Sequence, residues 1–291
     1  MTRSEGDEAV SSGSGATRVA PLVLDIGPEP SGLAAVFTDL WRVRELVGTL
    51  ARRDFFSRYR RATLGVLWAA VMPLIQAGVL AFVFTRVARL HMPGNPFVFV
   101  YTGIAAWSFF TSSLTAAGTA VVENATLASR IYFPRLALPV VGVLSGAYLM
   151  VINFAIAVIA AFSTGAHQGF WVLLVPVSMV LGLLLTLFFS AALSAIHVYF
   201  RDIKYLVQAV LMAAFYLTPA IYPLTRAPSS LRYLVELNPM TGVIEMARRG
   251  LVGADPMWVH TVEISVAWLI PLIAVTAWLY SRFDRVFSDL M

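Results

Sequence analysis

The chain has 291 residues and no cysteine. That excludes a disulfide framework, an iron–sulfur site and a thiol nucleophile. Its four histidines, His91, His167, His197 and His260, lie far apart and form no metal-ligand spacing. Lysine is almost missing: Lys204 is the only one, and it is followed by Tyr205 with no glycine pattern before it. A phosphate-binding P-loop needs G-x-x-x-x-G-K-[ST], so the chain carries no ATP site of that kind. No cofactor is expected in this chain, and ATP with its magnesium, if ATP drives it, belongs to a partner. Charge is scarce as well, 13% of residues against about 25% in an ordinary soluble domain. Hydrophobic residues make up 59%, and the mean hydropathy is +0.78. A chain this apolar cannot hide its surface from water, which points to lipid as its solvent.

The polar, Gly/Ser-rich opening, residues 1–30, lacks the apolar core of a signal peptide and reads as a disordered cytoplasmic tail. Over residues 31–57, Leu33, Val36, Leu40, Val43, Val47 and Leu50 recur every three or four positions, with Arg42, Arg52 and Arg53 on other faces. This predicts an amphipathic helix at the cytoplasmic membrane surface; packing on a soluble partner is the alternative. Residues 58–291 then read as one transmembrane domain. Uncharged runs long enough to cross a bilayer predict spans at about 64–85, 97–121, 136–162, 170–198, 205–222 and 264–281. The expected fold is therefore an all-α integral membrane protein with six transmembrane helices. Tyr222 to Glu263 is too polar to span and too apolar for plain loop. Asn238-Pro239 has the form of an N-cap followed by Pro at the first helical position, and Glu245 is placed to meet Arg248 or Arg249. Short re-entrant or interfacial helices are expected there on the external side. With both termini in the cytoplasm, Arg86, Arg89, Arg226, Arg232, Arg248 and Arg249 lie outside and the other fifteen Lys and Arg residues lie inside, a balance that the positive-inside rule favours, with Arg86 and Arg89 a local exception.

No acidic residue falls inside a predicted span, which argues against a proton relay or an ion-coupled carrier. The spans offer aromatic side chains instead. Phe82, Trp107, Phe109, Phe110, Phe215, Tyr216 and Tyr222 are candidates to line a path, since aromatic faces stack on sugar rings and seal a pore against ions. Lipid-facing aromatics are the alternative reading for each. Arg58, Tyr59, Arg60 and Arg61 sit where the amphipathic helix meets the first span. Arginine forks suit phosphate oxygens, so a diphosphate headgroup could be recruited there; simple positive-inside anchoring is the plainer account.

These residues carry a recognisable pattern. Arg53-Asp54-Phe55-Phe56-Ser57-Arg58-Tyr59-Arg60-Arg61-Ala62-Thr63-Leu64-Gly65-Val66-Leu67-Trp68, followed by Pro73-Leu74, resembles the start of ABC-2 type permeases that export lipid-linked polysaccharides and polyol phosphates (O-antigen, capsule, teichoic acid, galactan). The likeness continues in order through Asn124 to Arg135, Val198 to Ile203, Leu217 to Pro223, Leu237-Asn238-Pro239-Met240, Arg248 to Leu251 and Phe283 to Leu290. No one block is specific; the blocks in register are. The tail 1–30 has no counterpart.

The resemblance implies a bacterial cytoplasmic-membrane permease that pairs with a second copy of itself and with two separate ABC ATPase subunits. Membrane lipids surround it, and nucleic acid is not a partner. The coupling helix would lie at about Glu123 to Arg130, with Glu123, Asn124, Leu127 and Arg130 in a cleft of the ATPase, and Arg201 and Asp202 would add a smaller contact. The cargo would be a polyprenyl-diphosphate-linked glycan or a polyol phosphate, its headgroup met first by the Arg58–Arg61 cluster. Three rivals weigh less. A permease for a drug or another lipid would often carry a large external domain that is absent here. A membrane-embedded glycosyl or phosphoryl transferase needs interfacial acids for metal and base, and only isolated acids such as Asp202 and Glu123 are present. An ion-coupled carrier would show two related halves, and no internal repeat is found. Leu127→Asp is expected to abolish co-purification with the ATPase. Undiminished co-purification and transport would remove the coupling-helix assignment.

Overall fold

A computed structural model describes residues 38, 40–90, 92–123, 136–166, 169–253 and 256–283. The tail 1–30 and the coupling residues Asn124, Leu127 and Arg130 lie outside them. The described residues are helical, with no strand among them.

Helix α1 spans Arg44–Tyr59. It buries Val47, Ala51 and Phe55, four residues apart, so one stripe of the helix is covered. The cover is α4, Ala137–Ser163. Val47 joins Ala137 and Val140 in one apolar cluster, and the Phe55 ring stacks on Tyr148 at 5.2 Å. Arg52 and Arg53 face away and are exposed. The amphipathic face is thus used in part against the protein itself.

Five stretches are helical, long and apolar enough to cross a membrane: Gly65–Val87, Pro96–Val122, Ala137–Ser163, Gly169–His197 and Trp258–Tyr280. The first contains α2, Trp68–Phe82, and closes in a π-helical turn, Val83–Val87. The second is α3, Pro96–Glu123. The fourth contains α5, Leu174–His197. The stretch expected to span at 205–222 is a shorter helix, α6, Ile203–Leu217. It stops early because Thr218 precedes Pro219, and a residue before proline is pushed to extended backbone. Thr218 has φ −86° and ψ 137°. Its backbone N–H and its hydroxyl both donate to the Ala214 carbonyl, satisfying the helix end.

Two short helices follow, α7 over Ser229–Leu237 and α8 over Pro239–Leu251. The Asn238 side chain accepts from the Met240 backbone N–H, with Pro239 at the first helical position. The last apolar stretch holds α9, Trp258–Ala267, and α10, Leu269–Phe283. It starts before the expected residue 264, because the helix runs on through the exposed Glu263, a charged position that an uncharged-run criterion leaves out, and the polar His260. The short interruption at Trp268 lies near Pro271, which has no N–H to offer the turn before it.

Helix α3 is the centre of the fold. Most of it, 78%, is buried, where the other spanning stretches are 22–39% buried. Close approach explains its fit with α4. Gly142 and Gly146, one turn apart on α4, face Ala117 and Ser113 of α3. In a membrane, small residues four apart let two backbones approach and gain dispersion contacts that lipid cannot match. A Cβ on Gly146 would collide with the Ser113 hydroxyl and touch Phe109. Gly146→Leu is therefore expected to destabilise the detergent-solubilised protein by about 1–3 kcal/mol through overpacking. Gly48→Ala, where a Cβ meets open space, serves as the control and should leave the melting temperature unchanged or slightly raised. Equal melting for Gly146→Leu and the parent protein would show that the crossing is not close.

Candidate functional site

Opposite the Gly142/Gly146 crossing, α3 turns a stripe of side chains into an open groove. Residues two apart differ by about 200° around a helix, so the stripe through Thr111 and the face through Ser113 point opposite ways. The groove is walled by α3 and α6, with Gln76 of α2 at its edge. It consists of two adjoining cavities that share Thr111, Thr115 and Gln208. One, of about 460 Å³, is lined by Trp107, Ser108, Phe215 and Tyr216 among others. The second, of about 650 Å³, runs on past Thr119 to Lys204 and Tyr205.

The two ends differ in chemistry. At the first, the Trp107 ring lies 6.1 Å from Phe215, and Phe215 lies 5.3 Å from Tyr216. Trp107 is buried while Tyr216 stands exposed, so the aromatic set runs from the core to the open side. At the second, the hydroxyls of Thr111, Ser112, Thr115 and Thr119 stand with the Gln208 carboxamide, and the Lys204 ammonium sits 5.0 Å above the Tyr205 ring.

The α6 wall has little support along its length. Leu211 is its buried side chain, and Leu206, Val210, Met212 and Tyr216 are exposed. It is held at its end. Arg248, fully buried on α8, donates to the carbonyls of Pro219 and Ala220 at 2.6 and 2.7 Å, just beyond α6. It also donates to the Phe99 carbonyl of α3 at 3.3 Å and to Glu245 at 2.9 Å. Its guanidinium carbon lies 3.6 Å from the Phe99 ring centroid. Burial lowers the Arg248 pKa from its ordinary value, and the Glu245 carboxylate opposes that by charge and hydrogen bond. Gly103 makes room for the arrangement: a Cβ there would strike the Ala220 carbonyl and crowd Arg248.

The structure brings Trp107, Phe215 and Tyr216 to one groove. Phe109 turns away to lie beside Gly146, and Phe110 meets Phe189 of α5 edge-on at 5.9 Å. Phe82 is exposed at the end of α2. The Tyr222 hydroxyl donates to the carbonyls of Tyr216 and Leu217, and Tyr222 is not among the residues that line the groove. Arg58 pairs with Asp54 at 2.6 Å, the Tyr59 ring lies 5.4 Å from Phe55, and Arg60 and Arg61 are exposed. No residue of α1 lines the groove. Arg201 and Asp202 are exposed in the turn before α6, and Glu123 is the last residue of α3. The threonine stripe and the Arg248 contacts to the Phe99, Pro219 and Ala220 carbonyls were not singled out from the sequence, whereas the Glu245–Arg248 pair was one of the two expected. The recurrence of Thr111, Thr115 and Thr119 at helical spacing was the available signal for the first.

Truncating Arg248 leaves the Glu245 charge buried without its partner, so Arg248→Met is expected to cost about 3–5 kcal/mol in thermal unfolding. Removing both charges together in Arg248→Met/Glu245→Met should recover part of that loss. Additive losses would show that the pair is not coupled.

A sequence profile described as ABC-2 type transporter matches residues 45–252. The chain is 30% identical over 208 residues to the O-antigen export system permease protein RfbA of Myxococcus xanthus, covering 71% of this chain and 80% of that one. It is also 28% identical over 201 residues to a protein of the same description from Klebsiella pneumoniae, covering 69% and 77%. A second Klebsiella pneumoniae protein of that description is 26% identical over 201 residues, with the same coverage.

Proposed function

Because the chain belongs to the ABC-2 type transporter family, we propose that the groove between α3 and α6 is one wall of its transport path. The chain is a permease subunit of an ABC exporter for polysaccharide, multi-pass in the membrane. The observation that carries the path reading is the groove itself: an aromatic end, a hydroxyl-lined end, and no acidic residue among its described lining. Such a surface can hold sugar rings by stacking and by hydrogen bonds while offering an ion nothing to exchange for its hydration.

The remaining parts of the reading follow. The relatives named O-antigen export permeases support a lipid-linked glycan as cargo, with ATP and Mg bound by a separate ABC ATPase. A second copy of the chain would close the open side of the groove against the exposed apolar residues of α6. Helix α6 has 15 residues, about 22 Å of rise, and with the extended turn after Leu217 it reaches far enough to serve as a sixth crossing. That makes the number of crossings even and keeps both termini in the cytoplasm, beside the arginines of α1. The segment Glu123 to Arg130 would dock on the ATPase, aided by Arg201 and Asp202. The exposed Arg60 and Arg61 would meet the diphosphate headgroup.

Two experiments test this. Depleting the chain should strip polysaccharide from the cell surface while lipid-linked glycan accumulates inside, and expression of the full chain should reverse both. An unchanged surface would overturn the exporter reading. The absence of native cysteine makes topology directly measurable with single-cysteine variants. A membrane-impermeant maleimide applied to intact cells should label Ser230→Cys, beyond α6, and not Ser57→Cys. Labelling of neither until the cells are opened would show that α6 does not cross.

A further inference from the structure

We propose that Thr111, Thr115 and Thr119 form a rail of hydrogen-bond acceptors that selects an uncharged, hydroxyl-bearing polymer over a phosphodiester chain. The inference rests on the path reading above.

The three threonines stand four residues apart on α3, about 6 Å from one to the next along the axis, and all three line the groove. Each hydroxyl has one proton, and each spends it on its own helix. Thr111 donates to the Trp107 carbonyl at 3.0 Å, Thr115 to the Thr111 carbonyl at 2.8 Å, and Thr119 to the Thr115 carbonyl at 3.3 Å. A hydroxyl has two acceptor lone pairs besides its proton. With the proton turned back, what the groove meets is oxygen that accepts. Ser112, another lining residue, likewise donates to the Phe109 carbonyl.

A sugar ring brings several O–H donors and can satisfy such a row at successive positions. A phosphodiester has no proton to give, and its anionic oxygens would face lone pairs. Leaving those oxygens desolvated without donors carries a heavy penalty. The other polar groups do not reverse this. Gln76, Gln208 and the hydroxyls of Ser108, Tyr205 and Tyr216 offer both donors and acceptors and suit hydroxyls equally. Among the described lining residues Lys204 is the one cation, and it sits at one end over Tyr205. A single ammonium cannot compensate a charge on every repeat unit over the 12 residues, about 18 Å, from Trp107 to Thr119. Arg60 and Arg61, just after α1, are not among the residues lining the groove, so their charge would serve a headgroup and not the chain in transit.

The test uses cells that make the chain with its own ATPase. The polymer lost from the surface on depletion is analysed for monosaccharides and for phosphorus. In the same cells the parent is replaced by Thr111→Val/Thr115→Val/Thr119→Val, or by Thr111→Ser/Thr115→Ser/Thr119→Ser, which keeps the hydroxyls. The lost polymer should be a glycan free of backbone phosphodiesters. The valine variant should export about tenfold less at equal membrane abundance and equal ATPase co-purification, as loss of several hydrogen bonds implies, and the serine variant should export as the parent does. A phosphodiester-linked polymer, full export by the valine variant, or failure of an abundant serine variant would each overturn the rail and leave the exporter reading standing. No polymer lost on depletion would overturn both. Should the valine variant be absent from the membrane, the serine variant and the polymer analysis decide the question.

Discussion

The arrangement depends on one buried cation. Arg248 has no contact with water, yet its donors reach three backbone carbonyls and one carboxylate across α3, α8 and the turn after α6. A buried charge is tolerated only when paired and fully hydrogen-bonded, so these segments cannot separate without exposing a severe electrostatic penalty. Arginine suits the position because its planar fork can serve several acceptors at once, where a lysine would place a single ammonium. The carbonyls of Pro219 and Ala220 are free to accept because the chain has left helical geometry at Thr218. The proline that ends α6 and the arginine that receives its end act together.

From that anchor the groove follows. Helix α6 is poorly covered along its length, and its position beside α3 is set at its end. Helix α3 can carry threonines, serines and a gap on one side because its other side is pressed against α4 at Gly142 and Gly146. Polar residues in a membrane helix are costly toward lipid and acceptable toward protein or a wet cavity. The most polar of the spanning helices is accordingly the most buried one. Threonine meets the remaining cost by bonding to its own helix, and that same self-satisfaction gives the groove its acceptor character.

Much of the fold was legible before any coordinates. Uncharged runs located five long apolar helices to within a few residues, except where the last begins at Trp258. Asn238-Pro239 announced the start of α8, and Glu245 was expected to meet a neighbouring arginine. The exceptions have local causes. Thr218 before Pro219 shortens α6, and His260 with Glu263 hides the first turns of α9. In the groove, composition singled out Trp107, Phe215 and Tyr216 together with Phe109 and Phe110. Periodicity alone could not separate them, since neighbouring positions on α3 face the cavity, α4 or α5 according to how the helix is rotated.

By itself the sequence determined that the chain lives in lipid, where most of its long helices start and stop, and that it holds no ATP site of the P-loop kind. Those properties come from hydropathy, from proline and capping chemistry, and from the near absence of lysine, all of which act locally along the chain. Only the tertiary structure decided which face of α3 is open and that Arg248 joins segments 149 residues apart at Phe99. Such features depend on helix rotation and on contacts between distant residues. In a membrane, where hydrophobicity does not choose between one apolar neighbour and another, they are set by small-residue packing and by the need to satisfy each buried polar group.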